Sequence, residues 1–138
     1  MEKYIVIESL IEELDGCGIA TDSEENKTEC SCNVTEWGDS LTVAYTERSE
    51  GGVADSLITV KPNEITVTRT GAIESTFVFR EGECTSTLYK IPPYAFDAEI
   101  NTKRIRRSLD GSVGEITIFY EMSIGGAKKR VRMKIRLR

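Results

Sequence analysis

From Arg130 to the end of the chain, cationic and apolar residues alternate without a break. Arg130, Arg132, Lys134, Arg136 and Arg138 interleave with Val131, Met133, Ile135 and Leu137. A helix would scatter those cations around its circumference, whereas a strand sets them all on one side and the apolar residues on the other. The chain therefore contains a strand with one greasy face that needs a sheet partner and a core. The same period of two recurs upstream. Leu41, Val43 and Tyr45 alternate with Thr42, Ala44 and Thr46, and Ile65 and Val67 alternate with Thr66 and Thr68. Ile116, Ile118, Tyr120, Met122 and Ile124 share one face of a long strand.

The segment Tyr4–Leu14 fits two patterns. Ile7, Leu10, Ile11 and Leu14 make a helical stripe, but the β-branched run Ile5-Val6-Ile7 favours a strand with Ile5 and Ile7 inward. A meander also needs its first strand to pair with its last, so a strand is expected here. The stretch Cys17–Lys27 is polar and acidic and reads as an exposed loop.

Turn signals punctuate the rest at hairpin spacing: Trp37-Gly38-Asp39, Gly51-Gly52, Pro62-Asn63, Thr70-Gly71, Glu81-Gly82, Pro92-Pro93, Asp110-Gly111 and Gly125-Gly126. The runs between them amount to about eight to ten antiparallel strands. A sheet that wide tends to curl, and closing it removes aggregation-prone edges. The expected fold is all-β, a single up-and-down barrel of the calycin or lipocalin type, favoured over a sandwich. With 138 residues and no linker or repeat, one domain over 1–138 is expected.

Composition narrows the functional classes. A hydrophobic fraction of 39% and a charged fraction of 30% suit a globular protein. No apolar run approaches the ~20 residues of a membrane helix. The opening Met1-Glu2-Lys3-Tyr4-Ile5 lacks a basic leader, and Glu8 interrupts the apolar stretch, so a cytoplasmic protein without membrane insertion is expected. In that setting Cys17, Cys30, Cys32 and Cys84 read as free thiols. Cys30-Ser31-Cys32 would put two sulfurs on one strand face, but structural zinc sites pair C-x₂₋₄-C units, so neither metal nor cofactor is expected. The chain has no histidine, which removes Ser-His-Asp and Cys-His nucleophiles and imidazole acid–base catalysis together. An enzyme is thereby less favoured than a binding protein.

The net charge of −5 conceals a split. Residues 1–64 carry 15 acidic and 4 basic side chains, and residues 65–138 carry 8 acidic and 14 basic ones. Such a division marks either a binding face or acidic and basic strands lying side by side.

An ordered set of short motifs carries a resemblance. It comprises Tyr45-x-Glu47, Val67-x-Arg69-Thr70-Gly71-Ala72, Phe79-x-x-Gly82, Tyr89-Lys90, Thr102-Lys103-x-Ile105, Leu109-Asp110 and Gly114-x-Ile116-x-Ile118-x-Tyr120-x-Met122. Over Leu41–Gly126 the chain resembles the YwiB-like family of bacterial proteins of unknown function. The resemblance implies a calycin-type barrel and no particular activity. The chain departs from the family at Pro93-Tyr94, where a Phe-Gly pair is usual, and its first 40 residues match only loosely. The lipocalin Gly-x-Trp signature is absent, because Trp37 precedes Gly38.

Polar residues on apolar lines are the candidate ligand-binding groups. Arg69 continues the Ile65–Val67 line and Glu47 continues the Leu41–Val43–Tyr45 line. If those lines face the interior, the two charges should pair there, with Tyr45, Tyr89 and Tyr120 supplying hydroxyls around them. Such a group suits a small anionic or amphipathic ligand, because guanidinium matches carboxylate and phosphate. It suits better still a barrel-end ion pair with the tyrosines as core, a pair worth about 3–5 kcal/mol to a truly buried partner.

The candidate interaction surface is Arg130, Arg132, Lys134 and Arg136, with Lys103–Arg107 nearby, for a protein or RNA partner. Neither basic segment contains an aromatic stacking platform, and overall acidity opposes a polyanion, so nucleic acid is not expected. Asp97 and Glu99 share a strand face, but Phe96, Ala98 and Ile100 claim the buried side, which leaves the acids to solvent and no catalytic pair.

Overall fold

The computed structural model describes residues 3–49 and 51–138; Met1 and Glu2, at the head of the leader reading, lie outside them. The ten strands are β1 Lys3–Leu14, β2 Ala20–Trp37, β3 Ser40–Ser49, β4 Gly52–Lys61, β5 Glu64–Gly71, β6 Ser75–Phe79, β7 Cys84–Ile91, β8 Tyr94–Asp110, β9 Val113–Ile124 and β10 Ala127–Leu137. No helix occurs among the described residues.

Every strand pairs antiparallel with its sequence neighbour except across β6–β7, and β1 pairs with β10, giving the order β6-β5-β4-β3-β2-β1-β10-β9-β8-β7. The sheet curls until β6 and β7 meet. Glu74 and Lys90 exchange both backbone hydrogen bonds there, at 2.9 and 2.8 Å. The Thr85 hydroxyl donates to the Val78 carbonyl at 2.8 Å. The result is a nearly closed ten-stranded barrel.

The alternation seen in the sequence decides what lies inside. Ile5 and Ile7 from β1, Val43 from β3, Ile65 and Val67 from β5, Ile116 and Ile118 from β9, and Val131, Met133, Ile135 and Leu137 from β10 form the core. Tyr4–Leu14 is a strand, and Ile7 lies opposite Ile135 in the β1–β10 pairing. Val6 points the other way yet is also buried. Its cross-strand neighbour Arg136 reaches Glu8 and Glu115, so ion-paired side chains cover it.

The Cys17–Lys27 loop expected from composition is corrected by the structure. Only Asp15–Ile19 turns. Asp15 Oδ1 accepts the backbone N–H groups of Cys17 at 2.8 Å and Ile19 at 2.9 Å, and those bonds hold its carboxyl below the usual carboxylate range. From Ala20 onward the chain is β2, paired with β1 as far as Leu10↔Glu25 and beyond. Residues 20–27 are exposed throughout. Backbone pairing, joined by the Thr21 hydroxyl donating to the Glu13 carbonyl at 3.3 Å, holds them in the strand, and a strand wet on both faces shows no period of two.

Candidate functional site

The strands place a polar row across the inner wall of one half of the barrel. Tyr45 of β3 is opposite Ser56 of β4, Ser56 is opposite Arg69 of β5, and Arg69 is opposite Ser75 of β6. Glu47 lies two residues beyond Tyr45 on the same face, and its Oε1 is 3.7 Å from Arg69 Nη2. Arg69 thus points inward and meets the expected partner. Both side chains keep some contact with solvent, so this is not the fully desolvated pair that would anchor a core.

Three atoms of this row lack a hydrogen-bond partner among the described residues: Tyr45 Oη, Ser56 Oγ and Arg69 Nε. Each atom is buried. Ser56 and Glu47 lie near enough to the Tyr45 phenol to perturb it, but neither meets it in hydrogen-bonding geometry. Buried polar atoms are paired in the large majority of cases, so three unpaired ones in one row set this wall apart from the rest of the core. The fourth such atom, Thr102 Oγ1, belongs to β8 and lines neither of the spaces described below.

The remaining candidates come from the facing strands. Tyr89 of β7 stacks on Phe77 with ring centres 6.0 Å apart, and Tyr120 of β9 packs on Phe79 at 4.8 Å. Burial pushes the Tyr120 phenol up to about 12, partly offset by the Arg69 charge. Burial likewise raises Tyr45, with Glu47 adding to the rise and Arg69 opposing it. Arg69 therefore sits within electrostatic reach of both phenols. All five candidate binding residues, Arg69, Glu47, Tyr45, Tyr89 and Tyr120, converge on one region. Ser56 and Ser75 complete the group.

The interior is hollow beside this row. A cavity of about 720 Å³ runs between Phe77, Phe79 and Tyr89 on one side and Ile7, Val131 and Met133 on the other, and Arg69 and Glu47 also line it. Its charged lining comprises Lys27, Arg69 and Lys129 against the single carboxylate of Glu47. That balance favours an anion.

A second opening cuts the wall itself. β2 pairs with β1 from Ala20 to Cys32 and with β3 only from Asn33 to Trp37. Below Asn33 the two strands part, leaving a cleft of about 1140 Å³ lined by Lys27–Asn33 on one side and Ala44–Arg48 on the other. Tyr45 and Ser56 line it too. Cleft and cavity share Lys27, Thr28 and Glu47, so they meet at the polar row. Cys30 and Cys32 share the inward face and line the cleft. Burial pushes both thiols up, helped at Cys30 by Glu47. All four cysteines are free, and no cluster of metal-ligating side chains forms among the described residues.

The outer basic ladder is partnered rather than bare. Arg130 reaches Glu12, Lys134 reaches Glu115, and Arg136 reaches both Glu8 and Glu115, all within 3.3–3.9 Å. The acidic and basic halves of the sequence do lie side by side. Arg132 is opposite Phe119, which is opposite Arg104 on its other flank. The Arg106 guanidinium lies 5.7 Å from the Phe119 ring centre. The aromatic missing from both basic segments is thus supplied by β9 through the sheet. Asp97 and Glu99 are exposed beside buried Ala98 and Ile100, but Phe96, expected on the same buried line, is 39% exposed and lines the cavity.

Comparison with known proteins finds a relative described as an uncharacterised β-barrel protein. The uncharacterised β-barrel protein YwiB of Bacillus subtilis (strain 168) is 28% identical over 89 residues, 64% of this chain, and the match spans 63% of that protein's length. The crystal structure of ywiB protein from Bacillus subtilis superimposes with a TM-score of 0.77 at 21% identity, covering 98% of this chain and 92% of the other. The shared fold therefore extends over nearly the whole chain. A family model described as a domain of unknown function, DUF1934, matches residues 15–136, and the chain belongs to that family.

Proposed function

We propose that the barrel is a non-enzymatic binder of a small amphipathic anion, a lipocalin-like use of a β-barrel interior. The observation that carries this reading is the cavity of about 720 Å³ into which Arg69 projects, with its Nε buried and unpaired. The volume lies in the range of small-molecule sites, which are mostly apolar with a few convergent polar groups. The apolar part of the ligand packs against Phe77, Phe79 and Met133, and its oxyanion takes the Arg69 donor. A charge-assisted hydrogen bond of that kind contributes about 1.5–3 kcal/mol. The absence of histidine and the exposure of Asp97 and Glu99 argue against acid–base chemistry here.

Titration with decanoate, followed by displacement of anilinonaphthalene sulfonate fluorescence, tests the reading. The expected result is saturable one-to-one binding, preferred over decyltrimethylammonium and weakened at least ten-fold by Arg69→Met. No saturable binding, or equal binding of anion and cation, would overturn it.

A second reading, an interaction module working through the outer face, is favoured by the cluster of Arg132, Phe119, Arg104 and Arg106. A guanidinium-flanked ring suits an anionic partner with a planar group. The ion pairs along the rest of the ladder leave it the weaker of the two.

A further inference from the structure

We infer that the cleft between β2 and β3 is the head-group site of the ligand, so that the bound molecule is a single-chain amphiphile with an oxyanion head. Its chain lies in the barrel interior and its head in the wall. This rests on the proposed interior binding and adds where the ligand's polar end goes and which hydroxyls receive it.

The polarity of the two spaces sets the orientation. The cavity is walled by Phe77, Phe79, Val131 and Met133. The cleft is walled by three cations, Lys3, Lys27 and Arg48, by three carboxylates, Glu29, Glu47 and Asp55, and by the paired inward side chains of Tyr45 and Ser56. They meet at Glu47, directly beside Arg69. A molecule with one greasy end and one charged end matches that gradient in only one direction.

Tyr45 and Ser56 are the second, independent observation. They are only 5% and 3% exposed, and both hydroxyls lack a partner among the described residues. Together with Arg69 Nε they offer three donors at the point where the cleft opens into the cavity. A phosphate or carboxylate supplies several acceptors to one such point, whereas an alcohol or an ammonium does not. The cleft is also open along the wall, because β2 follows β1 and leaves the β3 edge unpaired beyond Ala44. The head is therefore free to be larger than the interior could enclose.

Cys30 and Cys32 line the same cleft and report on it, while Cys17 and Cys84 are exposed elsewhere. The experiment uses decyl phosphate, decanoate and decanol on the full chain, the two acids distinguishing a phosphate head from a carboxylate one. Alkylation by iodoacetamide is followed at each cysteine by mass spectrometry. The expected result is that at least one of the two acids slows modification of Cys30 and Cys32 at least five-fold and leaves Cys17 and Cys84 unchanged. In the double variant Tyr45→Phe/Ser56→Ala, the preference for that acid over decanol falls at least ten-fold. The melting temperature of the unliganded variant does not fall, because hydroxyls without a partner contribute nothing to the fold. A lower melting temperature with an unchanged acid-to-alcohol preference would make these hydroxyls structural and overturn the inference. Tight acid binding that leaves Cys30 and Cys32 unprotected would overturn it while leaving interior binding standing. Failure of all three probes to bind would overturn both.

Discussion

Arg69 Nη2 stands 3.7 Å from Glu47 Oε1 in the wall of the interior cavity, and the two side chains are 25% and 22% exposed. A single long contact with that much solvent is a weak bond. Surface-type ion pairs contribute about 0–1 kcal/mol, against 3–5 kcal/mol for removing one partner from a fully buried pair. Arg69→Met should therefore cost less than about 1 kcal/mol in urea unfolding. Glu47→Gln should tighten decanoate binding, because it removes the carboxylate that lines both the cavity and the cleft. An Arg69→Met loss of several kcal/mol, restored by Glu47→Gln, would make the pair a structural element instead.

Much of this arrangement is legible in the sequence because burial on one face imposes a period of two. Arg69 and Glu47 stand out as charges on apolar lines, and both project inward. The same logic applied to Ala54, Ser56, Ile58 and Val60 would have found Ser56, whose inward line is apolar except at that residue. Two features leave no such trace. Residues 20–27 pair with β1 but bury neither face, so their composition imitates a loop. The parting of β2 from β3 at Asn33 depends on how the sheet coils to follow β1. No local residue pattern records that choice, and Phe119 meets Arg132 and Arg104 only through strand register.

The four thiols should fall into two classes. Cys17 and Cys84 are exposed, whereas Cys30 and Cys32 are partly buried with their thiols pushed up by desolvation. The thiolate is the reactive form. Near neutral pH, thiol titration of the native protein should show two fast and two slow groups, and all four should react fast after denaturation. Elemental analysis should find no stoichiometric zinc. Zinc released only on unfolding, or four equally fast native thiols, would contradict this placement.

The basic ladder should give only non-specific affinity for nucleic acid. Glu8, Glu12 and Glu115 neutralise three of its four cations, which leaves Arg132 beside Phe119. A shift assay with mixed single-stranded RNA near physiological salt should show dissociation constants of roughly 10⁻⁴–10⁻⁶ M, the non-specific range for DNA. Sub-micromolar binding lost on replacing Arg132, Lys134 and Arg136 would promote the outer face to the principal functional surface.

Alkaline pH tests the interior phenols directly. Burial raises Tyr120 from an ordinary value of 10.0 to about 12, and raises Tyr45 in the same direction. A phenol with a raised pKa holds its proton longer in the folded state than in the unfolded one. The stability it contributes is fully present below about pH 10 and is lost as pH climbs through the folded-state value. For Tyr120 the shift corresponds to about 2–3 kcal/mol across that window. Urea unfolding at successive pH values should therefore show stability falling above about pH 10, with a shallower fall in Tyr120→Phe. Phenolate absorbance should show two of the five tyrosines ionising late, as the fold opens. Arg69→Met should delay Tyr120 further, because the guanidinium is the charge that partly offsets its burial. An early, reversible titration of all five phenols in the folded protein would place Tyr45 and Tyr120 in water and remove the polar row from the interior.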